Sequence, residues 1–353
     1  MVSMPSAASD VPVTDSSTIR IVPLPPEAGS PHEDLRKRLF ADSVTQASCA
    51  SITTGPKGNL MKVESDLDRF IANLLDSLQK RDVTNLLRFF HPRLGVRPIV
   101  IEAQLHGIER IYGKPIDWSI RDLWALNSVD GSTKGLACGP GLNVYPLYGY
   151  PLQFGLWLQA MGPKELGRIY MGIVPANGRW NIGSFHVQQW THSGREASSW
   201  AEEAARDVVA KEPMAAWAKF DLARKLASGG GFVELAATSE ALALRDQQMT
   251  EDQWKNEITT AIAASAKDRE IAHVSTMLAD GGVGILIRFR TNRDLALSEI
   301  KSSCAAIGKD LAARSWSNRL AGLRCSWILP KEGADKDGVL GGIYYSFASL
   351  RSS

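Results

Sequence analysis

His186 is the residue whose type and neighbours best fit acid–base chemistry in this chain of 353 residues. An imidazole can accept and return a proton near neutral pH, and Ser184 and Gln188 stand two residues to either side of it. The alternative is a buried histidine whose ring is hydrogen-bonded by Gln188 or by a backbone carbonyl, and this role is the commoner one. Carboxylates that could orient the ring occur on other predicted elements: Glu102, Asp117 and Asp122.

The dipeptide Asn177-Gly178 stands between two strand-like runs and predicts a β-hairpin with a two-residue turn. Regular pairing outward from this turn places Ile173 opposite Ile182 and Ile169 opposite His186. One face of the hairpin is then apolar near the turn and polar away from it, which predicts a half-open pocket. Besides His186, the predicted lining of this pocket is Ile169, Met171, Ile173, Trp180, Ile182, Ser184, Gln188 and Trp190.

Metal and cofactor chemistry have little support. Glu102 and His106 are four residues apart, which suits one side of a metal site, but no third ligand stands near them and an ordinary helical pair is expected. His192 follows Trp190 at the end of a strand, where packing is the usual role. Residues 135–151 contain several Gly and Pro but no phosphate-binding loop, and they predict a kinked edge strand or a loop over the pocket mouth. We expect no metal and no cofactor.

Three arginines lie along a predicted strand near the C-terminus and just after it. Arg288 and Arg290 alternate with apolar residues, and Arg293 follows. The alternation places these arginines on the face away from the core. A solvated strand face is the expected role, and contact with an anionic partner is the alternative.

The composition is typical of a soluble globular protein with room for two domains. Hydrophobic residues make up 44% of the chain, charged residues 22%, and the net charge is +2. Because no long basic run accompanies this small charge, we expect no nucleic-acid partner. No apolar stretch approaches the ~20 residues that span a bilayer, and the N-terminus lacks the pattern of a secretory signal. The expected location is therefore the cytoplasm.

The four cysteines are far apart and form no CxxC motif, and no histidine stands at a zinc-ligand spacing from them. A bond between Cys304 and Cys325 is one option for the last domain. Buried, unpaired thiols are the expectation for all four: Cys49, Cys138, Cys304 and Cys325.

The pattern changes after the first 60 residues. Residues 1–60 are rich in Ser, Pro, Ala, Thr and Asp, which predicts a disordered arm with at most a helical turn at 32–41. Apolar residues then recur at helical spacing after a Ser65/Asp66 cap, after Asp82, and from Ile99 to Tyr112. Predicted strands follow at 118–126, 142–148 and 152–161, and then the hairpin. Helices followed by long antiparallel strands favour an α+β fold with the helices on one side of a curved sheet.

This order of elements resembles the nuclear-transport-factor-like cone domain, also called the polyketide-cyclase-like or cystatin-like cone. The resemblance is carried by SDLDRFIANLLDSLQKRD, by the following DVTNLLRFFHP and by the hairpin IYMGIVPANGRWNIGSFHVQQW, and it covers roughly residues 61–195. It implies a cone-like curved antiparallel sheet with N-terminal helices around a pocket. Some members of this family use the pocket for catalysis, and many use it for binding or assembly.

The remaining chain predicts two further segments. Residues 196–250 are Ala-rich and predict a helical connector, in which Ser199 and Glu202 fit a capping box. Residues 251–353 predict a second small α+β domain of order αββαββ. Its strands are expected at 273–279, 283–291, 323–329 and 343–350, and its central helix at 295–314.

Three functions fit these observations. We favour a non-catalytic interaction or assembly protein that binds protein partners on its two α+β domains, with a homodimer through the open sheet face as one option. The second is a cone-fold enzyme of the cyclase, isomerase or dehydratase type, with His186 as general acid or base on a small hydrophobic substrate. The third is a binding module for a small hydrophobic ligand. An enzyme requires a carboxylate within ~3 Å of His186 at an open pocket. A scaffold requires a filled or shallow cone. A binding module requires an open apolar pocket with few polar groups.

Overall fold

The computed structural model describes residues 19–20, 32–40, 45–54, 59–60, 64–129, 134–267, 269–329 and 338–352. The fold is α+β, as predicted. The helices are α1 (Glu33–Phe40), α2 (Ser65–Lys80), α3 (Val83–Leu87), α4 (Pro98–Tyr112), α5 (Ala197–Val209), α6 (Pro213–Ala227), α7 (Ala236–Gln248), α8 (Glu251–Ala261), α9 (Leu297–Ala312) and α10 (Phe347–Arg351). The strands are β1 (Ile19–Arg20), β2 (Ser48–Ser51), β3 (Thr53–Thr54), β4 (Asn59–Leu60), β5 (Asp117–Asn127), β6 (Leu136–Gly139), β7 (Leu142–Val144), β8 (Leu152–Met161), β9 (Leu166–Ala176), β10 (Arg179–Gln189), β11 (Val233–Leu235), β12 (Glu270–Ala279), β13 (Gly282–Arg290), β14 (Gly322–Leu329) and β15 (Gly338–Ser346).

The chain forms two compact units. The sheet unit comprises residues 13–194 and 226–238, and the C-terminal unit comprises residues 195–225 and 239–353. The predicted helical connector, 196–250, is therefore divided between the two units. Residues 233–235 of this segment form strand β11, because they pair with β7 of the sheet unit.

The sheet unit is built on a six-stranded antiparallel sheet of order β1-β10-β9-β8-β5-β2. Its register shifts between Ile120 and Asp122 in β5 and between Ile182 and Ser184 in β10. Such bulges bend a strand and increase its twist, which agrees with the predicted curved sheet.

Helices α2 and α4 bury their apolar stripes on one face of this sheet, here called the helix face. Leu67, Ile71 and Leu74 recur at helical spacing in α2 and are at most 1% exposed. The carboxylate of Asp82 caps α3 as predicted and accepts from the Asn85 amide at 3.0 Å. The N-cap of α2 is Glu64, one residue before the predicted cap.

The opposite, outer face of the sheet is covered by a second sheet of three strands, β11-β7-β6. Leu136 and Val144 of this small sheet and Phe232 beside it pack in one apolar cluster with Trp157 and Tyr170 of the large sheet. The segment 135–151 therefore lies on the outer face and does not cover a pocket mouth. The open sheet face that a homodimer would use is thus covered in part by the chain's own strands.

Part of the predicted N-terminal arm is ordered. The described residues between 1 and 60 include helix α1, where a helical turn was the most that the sequence suggested, and strand β2, which pairs with β5 at the sheet edge. Leu35 and Phe40 of α1 are buried in the apolar core. This burial offsets the conformational entropy that the segment loses on ordering. The polar composition of the segment by itself gives no such compensation. Residues 1–18, 21–31, 41–44 and 55–58 of the arm lie outside the described residues.

The C-terminal unit contains a four-stranded sheet of order β12-β13-β14-β15. Strands β13 and β14 are parallel, and α9 is the crossover between them. Within residues 251–353 the elements follow one another in the order α8, β12, β13, α9, β14 and β15, and the short helix α10 follows them. The last predicted strand is too long, since β15 ends at Ser346 and its hydroxyl caps the short helix α10.

All four cysteines are disulfide-bonded, so the expectation of unpaired thiols is wrong. Cys49 of β2 is bonded to Cys138 of β6, and Cys304 of α9 is bonded to Cys325 of β14. The Cys304–Cys325 bond is the alternative named for the last domain, whereas the Cys49–Cys138 bond was not among the expectations, because pairing depends on which elements the fold brings together. None of the helices in the described ranges combines the length and the apolar composition needed to span a bilayer.

Candidate functional site

The hairpin that positions the predicted site has the expected turn but a different register. Ala176 pairs with Arg179, and Asn177 and Gly178 have the positive φ angles of 53° and 70° that suit this tight turn. Pairing is regular as far as Ile182. The bulge that follows moves every later residue of β10 by one position.

The bulge corrects the face assigned to His186. His186 pairs with Tyr170 instead of Ile169, so that Ser184, His186 and Gln188 lie on the outer face and not beside Ile169. The helix face of β10 is instead continued by Phe185. The signal that could have revealed this was Gly183, because a glycine inside a strand pattern often marks a bulge.

The apolar part of the predicted pocket lies together on the helix face. Ile169, Met171, Ile173, Trp180 and Ile182 all belong to the core that α2 and α4 cover, and each is at most 4% exposed. Ser184, Gln188 and Trp190 are not part of this group. The predicted set is therefore divided between the two faces of the sheet.

A narrow apolar cleft lies on the helix face, between the helices and the sheet. Its inner space is small, about 20 Å³ for the centre of a water-sized sphere, and the empty space reaches about 420 Å³ only when the open mouth and the adjoining solvent are counted. Leu74 and Leu78 of α2 and Leu105 of α4 form its sides, and Met171 and Ile182 form part of its floor. Among the residues that line it, Gln104 is the one polar side chain, and no titratable side chain occurs.

His186 is held in a packed environment on the outer face. Its ring lies 6.4 Å from that of Phe232, and its Nε2 is 3.3 Å from Oε1 of Gln188. Ser184 Oγ accepts from the Gly172 amide at 3.0 Å. The side chain of His186 is 4% exposed. These contacts match the alternative expected for this histidine, and its catalytic role stays a prediction.

The three carboxylates considered for His186 lie on other parts of the sheet unit. Glu102 is on α4, which packs on the helix face, and Asp117 is the exposed first residue of β5. Asp122 and His186 lie in one cross-strand row, in which Asp122 pairs with Trp157, Trp157 with Tyr170 and Tyr170 with His186. The backbones of Asp122 and His186 are therefore three strand spacings apart, about 14 Å. Burial raises the pKa of Asp122, although Arg121 Nε lies 3.4 Å from its carboxylate.

Tryptophans and arginines alternate at the end of the outer face. The Trp190 ring centroid lies 4.1 Å from the guanidinium carbon of Arg121 and 4.5 Å from that of Arg168. The Trp157 ring lies 5.0 Å from the same carbon of Arg168. Stacking of this kind stabilises a guanidinium that is largely removed from water, and Arg168 is 5% exposed. Trp190 thus has a packing role.

No described group of three His, Cys, Asp or Glu side chains is placed to hold a metal ion. His106 contacts Arg81 through its Nε2 at 3.0 Å and lies 3.7 Å from a carboxylate oxygen of Glu109, while Glu102 is exposed. His192 is buried at the end of the hairpin.

Gly230 provides a test of where His186 points. Its φ is +64°, and a Cβ built on it would lie 2.4 Å from the His186 ring. We expect Gly230→Ala to lower the free energy of unfolding by about 2–5 kcal/mol, from backbone strain and overpacking together. In the double variant with His186→Ala the overpacking part disappears, so the two effects are not additive. Chemical denaturation of the four proteins of this cycle measures the coupling. Strict additivity would show that the ring does not lie against Gly230.

Comparison with known proteins gives no family for this chain. No protein-family model matches it, and no curated protein matches it. Among solved structures, Bd1075 of Bdellovibrio bacteriovorus aligns with 37% of this chain and 41% of its own, at 11% identity and a TM-score of 0.24. A protein of unknown function with a cystatin-like fold from Nostoc punctiforme PCC 73102 aligns with 35% of this chain and 88% of its own, at 10% identity and a TM-score of 0.24. The chain thus spans less than half the length of Bd1075, and similarity at this TM-score carries no argument about function.

Proposed function

We propose that this protein is a non-catalytic binding module whose sheet unit holds the hydrocarbon part of a small ligand in the cleft on the helix face. The observation that carries this proposal is the lining, which is apolar except for Gln104. Each buried methylene contributes about 0.8 kcal/mol to such binding, whereas acid–base catalysis needs a titratable group beside the substrate. The narrow shape favours a linear alkyl chain over a ring system.

The same geometry supports this proposal over the other two functions. The histidine expected to do acid–base chemistry lies on the outer face of the sheet, away from the cleft. The empty space that remains among residues of α2, α4 and the sheet also favours a binding module over a pure scaffold. An open apolar pocket with few polar groups is the property that a binding module requires.

A series of linear alcohols tests the proposal. We expect 1-hexanol, 1-heptanol and 1-octanol to shift the methyl resonances of Met171 and Ile182 in NMR titrations. Affinity should rise roughly fourfold for each added methylene, because each one leaves water for the cleft. The methyl groups of Ile287, which is buried in the C-terminal unit, serve as the internal reference and should not move.

A variant that fills the mouth completes this experiment. Val100 is half-buried in the lining of the cleft, so Val100→Phe should weaken octanol binding at least tenfold. The matched control is Val209→Phe in the C-terminal unit, where the native side chain is 85% exposed, and it should leave binding unchanged. Equal affinity of Val100→Phe and the native protein, or no dependence on alcohol length, would contradict the proposal.

We also propose that the chain folds in an oxidising compartment, in place of the cytoplasm expected from the sequence. The support is that all four cysteines form disulfides, which cellular reductants prevent in most cytosolic proteins. Protein isolated from its source cells under alkylation should carry no adduct before reduction and four adducts after it. Alkylated cysteines before reduction would contradict this location.

A further inference from the structure

One connecting segment of the sheet unit forms most of the rim of the apolar cleft. Among the residues that line the cleft, the three half-buried ones are Val96, Val100 and Gln104, so they mark where the cleft meets solvent. Two of the three belong to residues 92–100, here called the mouth segment. It leads from a short 3-10 turn, Pro92–Leu94, into the first turn of α4. The mouth segment therefore borders both the cleft and the solvent.

The mouth segment is exposed between two anchored points. Before it, the amide of His91 donates to the Ile182 carbonyl of β10 at 2.9 Å. After it, Ile101 of α4 is buried in the core. Every residue from 92 to 100 is exposed or half-buried. A Cβ on Gly95 would meet no atom within 4 Å, so open space surrounds the middle of the segment.

The exposed surface of the mouth segment is partly apolar. Ile99 is 61% exposed, and in the described part of the sheet unit Tyr148, at 49%, is the other large apolar side chain with such exposure. Leu94, Val96 and Val100 are half-buried. Single exposed apolar residues are common on protein surfaces, but a group of them indicates an interaction surface.

Three exposed arginines accompany these apolar residues: Arg88, Arg93 and Arg97. Residues 83–101 contain no Asp and no Glu. Within the described ranges of the chain, none of the three guanidinium groups takes part in an ion pair. All three are therefore open to an anionic partner.

The carboxylates around this stretch do not cancel its charge. Asp82 precedes it and caps α3, and Glu102 follows it as an exposed residue of α4. Glu109, further along α4, pairs with Arg81 at 3.4 Å and with Lys114 at 2.8 Å. Three guanidinium groups against two flanking carboxylates leave a net positive surface beside the cleft.

We propose that the mouth segment docks the sheet unit on an anionic lipid surface. Val96 and Ile99 then lie at the boundary between headgroups and acyl chains, and Arg93 and Arg97 lie against lipid phosphates. Binding of this kind depends on the apolar area that leaves water and on attraction to anionic lipids. Each cation near such a surface strengthens binding about fivefold.

Other occupants fit the mouth segment less well. A nucleic acid would need aromatic side chains for stacking, and residues 92–100 contain none. An acidic protein is less favoured than a lipid surface, because the rim of an apolar cleft lies in the same segment. The docking does not depend on the proposed alkyl ligand, since the segment contacts lipid whether or not the cleft is occupied.

Co-sedimentation of the full-length protein with sucrose-loaded vesicles tests the proposal. We expect binding to vesicles of phosphatidylcholine and phosphatidylglycerol in equal parts, which weakens as salt rises. Binding to phosphatidylcholine alone should be at least tenfold weaker. Arg93→Glu with Arg97→Glu should reduce binding to the anionic vesicles at least tenfold. Lys301→Glu with Lys309→Glu, on exposed residues of α9, changes the net charge equally and should reduce it less than twofold.

A serine variant measures the apolar part of the contact separately from the charge. Ile99 lies in the first turn of α4 and Leu297 in the first turn of α9, and they are 61% and 62% exposed. Serine is tolerated at such exposed positions, so both variants should fold. Ile99→Ser should weaken binding to the anionic vesicles at least threefold. Leu297→Ser, the matched control, should bind as the native protein does.

Several results would overturn the docking proposal. One is equal binding to neutral and anionic vesicles, or binding to neither. Another is the same loss in the lysine pair of α9 as in Arg93→Glu/Arg97→Glu, since net charge alone would then drive binding. Native affinity of Ile99→Ser would exclude its contact with the bilayer. Failure of the alcohol titrations would contradict the ligand of the cleft and leave these vesicle results unaffected.

Discussion

Replacing Cys49 and Cys138 together by alanine is expected to lower the free energy of unfolding of the sheet unit by about 4 kcal/mol. The bond joins residues 89 positions apart, so its loss releases a long loop in the unfolded chain, and the entropy of that loop opposes folding. The bond also fastens edge strand β2 to strand β6 of the small sheet that covers the outer face. Hydrogen exchange over residues 117–189, in native and variant protein, measures the change.

The second disulfide is the matched comparison for the first. Cys304 and Cys325 are only 21 positions apart, so chain entropy alone predicts a smaller loss, about 3 kcal/mol. Each removal should raise exchange mainly in its own unit, because each bond lies within one unit. A Cys49→Ala/Cys138→Ala protein whose strands β8–β10 exchange as slowly as in the native chain would refute the expected role of this bond.

Local patterns in the sequence predicted much of the sheet unit. The helical spacing of Leu67, Ile71 and Leu74 predicted α2, and Asn177-Gly178 predicted the turn and the first pairs of the hairpin. These features depend on residues close in sequence, where propensity and periodicity act directly. The cap of α3 is likewise a local feature, because Asp82 accepts a hydrogen bond from the backbone amide of Asn85, three residues later.

The site depended on a single irregular residue. Regular pairing beyond Ile182 misses Phe185 on the helix face and places His186 and Trp190 there instead. One bulged residue reverses the face of every side chain that follows it. Of the predicted lining residues, Met171 and Ile182 line the cleft, and the role of the predicted set stays a prediction.

Long-range contacts account for the other differences. Strand β11 forms because Val233 pairs with Val144, 89 residues earlier, and the Cys49–Cys138 disulfide joins two strands that are also 89 positions apart. Helix α1 in the N-terminal segment likewise depends on long-range contacts, because Leu35 and Phe40 pack in the apolar core of the sheet unit. Secondary-structure propensity in a short stretch of sequence does not predict contacts with residues far away in the chain.

A buried ion network in the C-terminal unit gives the second large expected effect. The carboxylate of Asp221, 3% exposed, lies 3.0 Å from nitrogens of Arg224 and Arg245 and 2.9 Å from Nζ of Lys225, and it accepts from the Thr276 hydroxyl at 2.5 Å. We expect Asp221→Asn to destabilise this unit by about 2–4 kcal/mol, because it leaves the largely buried Arg245 and the half-buried Arg224 and Lys225 without their shared counter-charge. Hydrogen exchange over residues 213–225 and 239–248 measures the loss.

Asp246→Asn is the matched control for this prediction. Asp246 also contacts Arg245, at 2.8 Å, but its side chain is 50% exposed, so water replaces the lost carboxylate. Its effect should stay within about 1 kcal/mol. A loss of the same size in both variants would show that the network around Asp221 is not buried as the structure has it.

The ionised carboxylate of Asp221 should also make the stability of the C-terminal unit depend on pH. Burial alone would raise the pKa of Asp221, but the positive charges of Lys225 and Arg224 outweigh it and hold the pKa well below its usual range. Because the folded pKa lies below the unfolded value of about 3.9, the stabilisation is fully present above that value. It is lost as the pH falls from there toward the folded pKa. Urea titrations at a series of pH values from neutral to acid measure this loss. Below about pH 3.9 the free energy of unfolding of the native protein should fall. The free energy of unfolding of Asp221→Asn should fall markedly less. Parallel acid profiles for the two proteins would contradict the assignment of this charge to the stability of the unit.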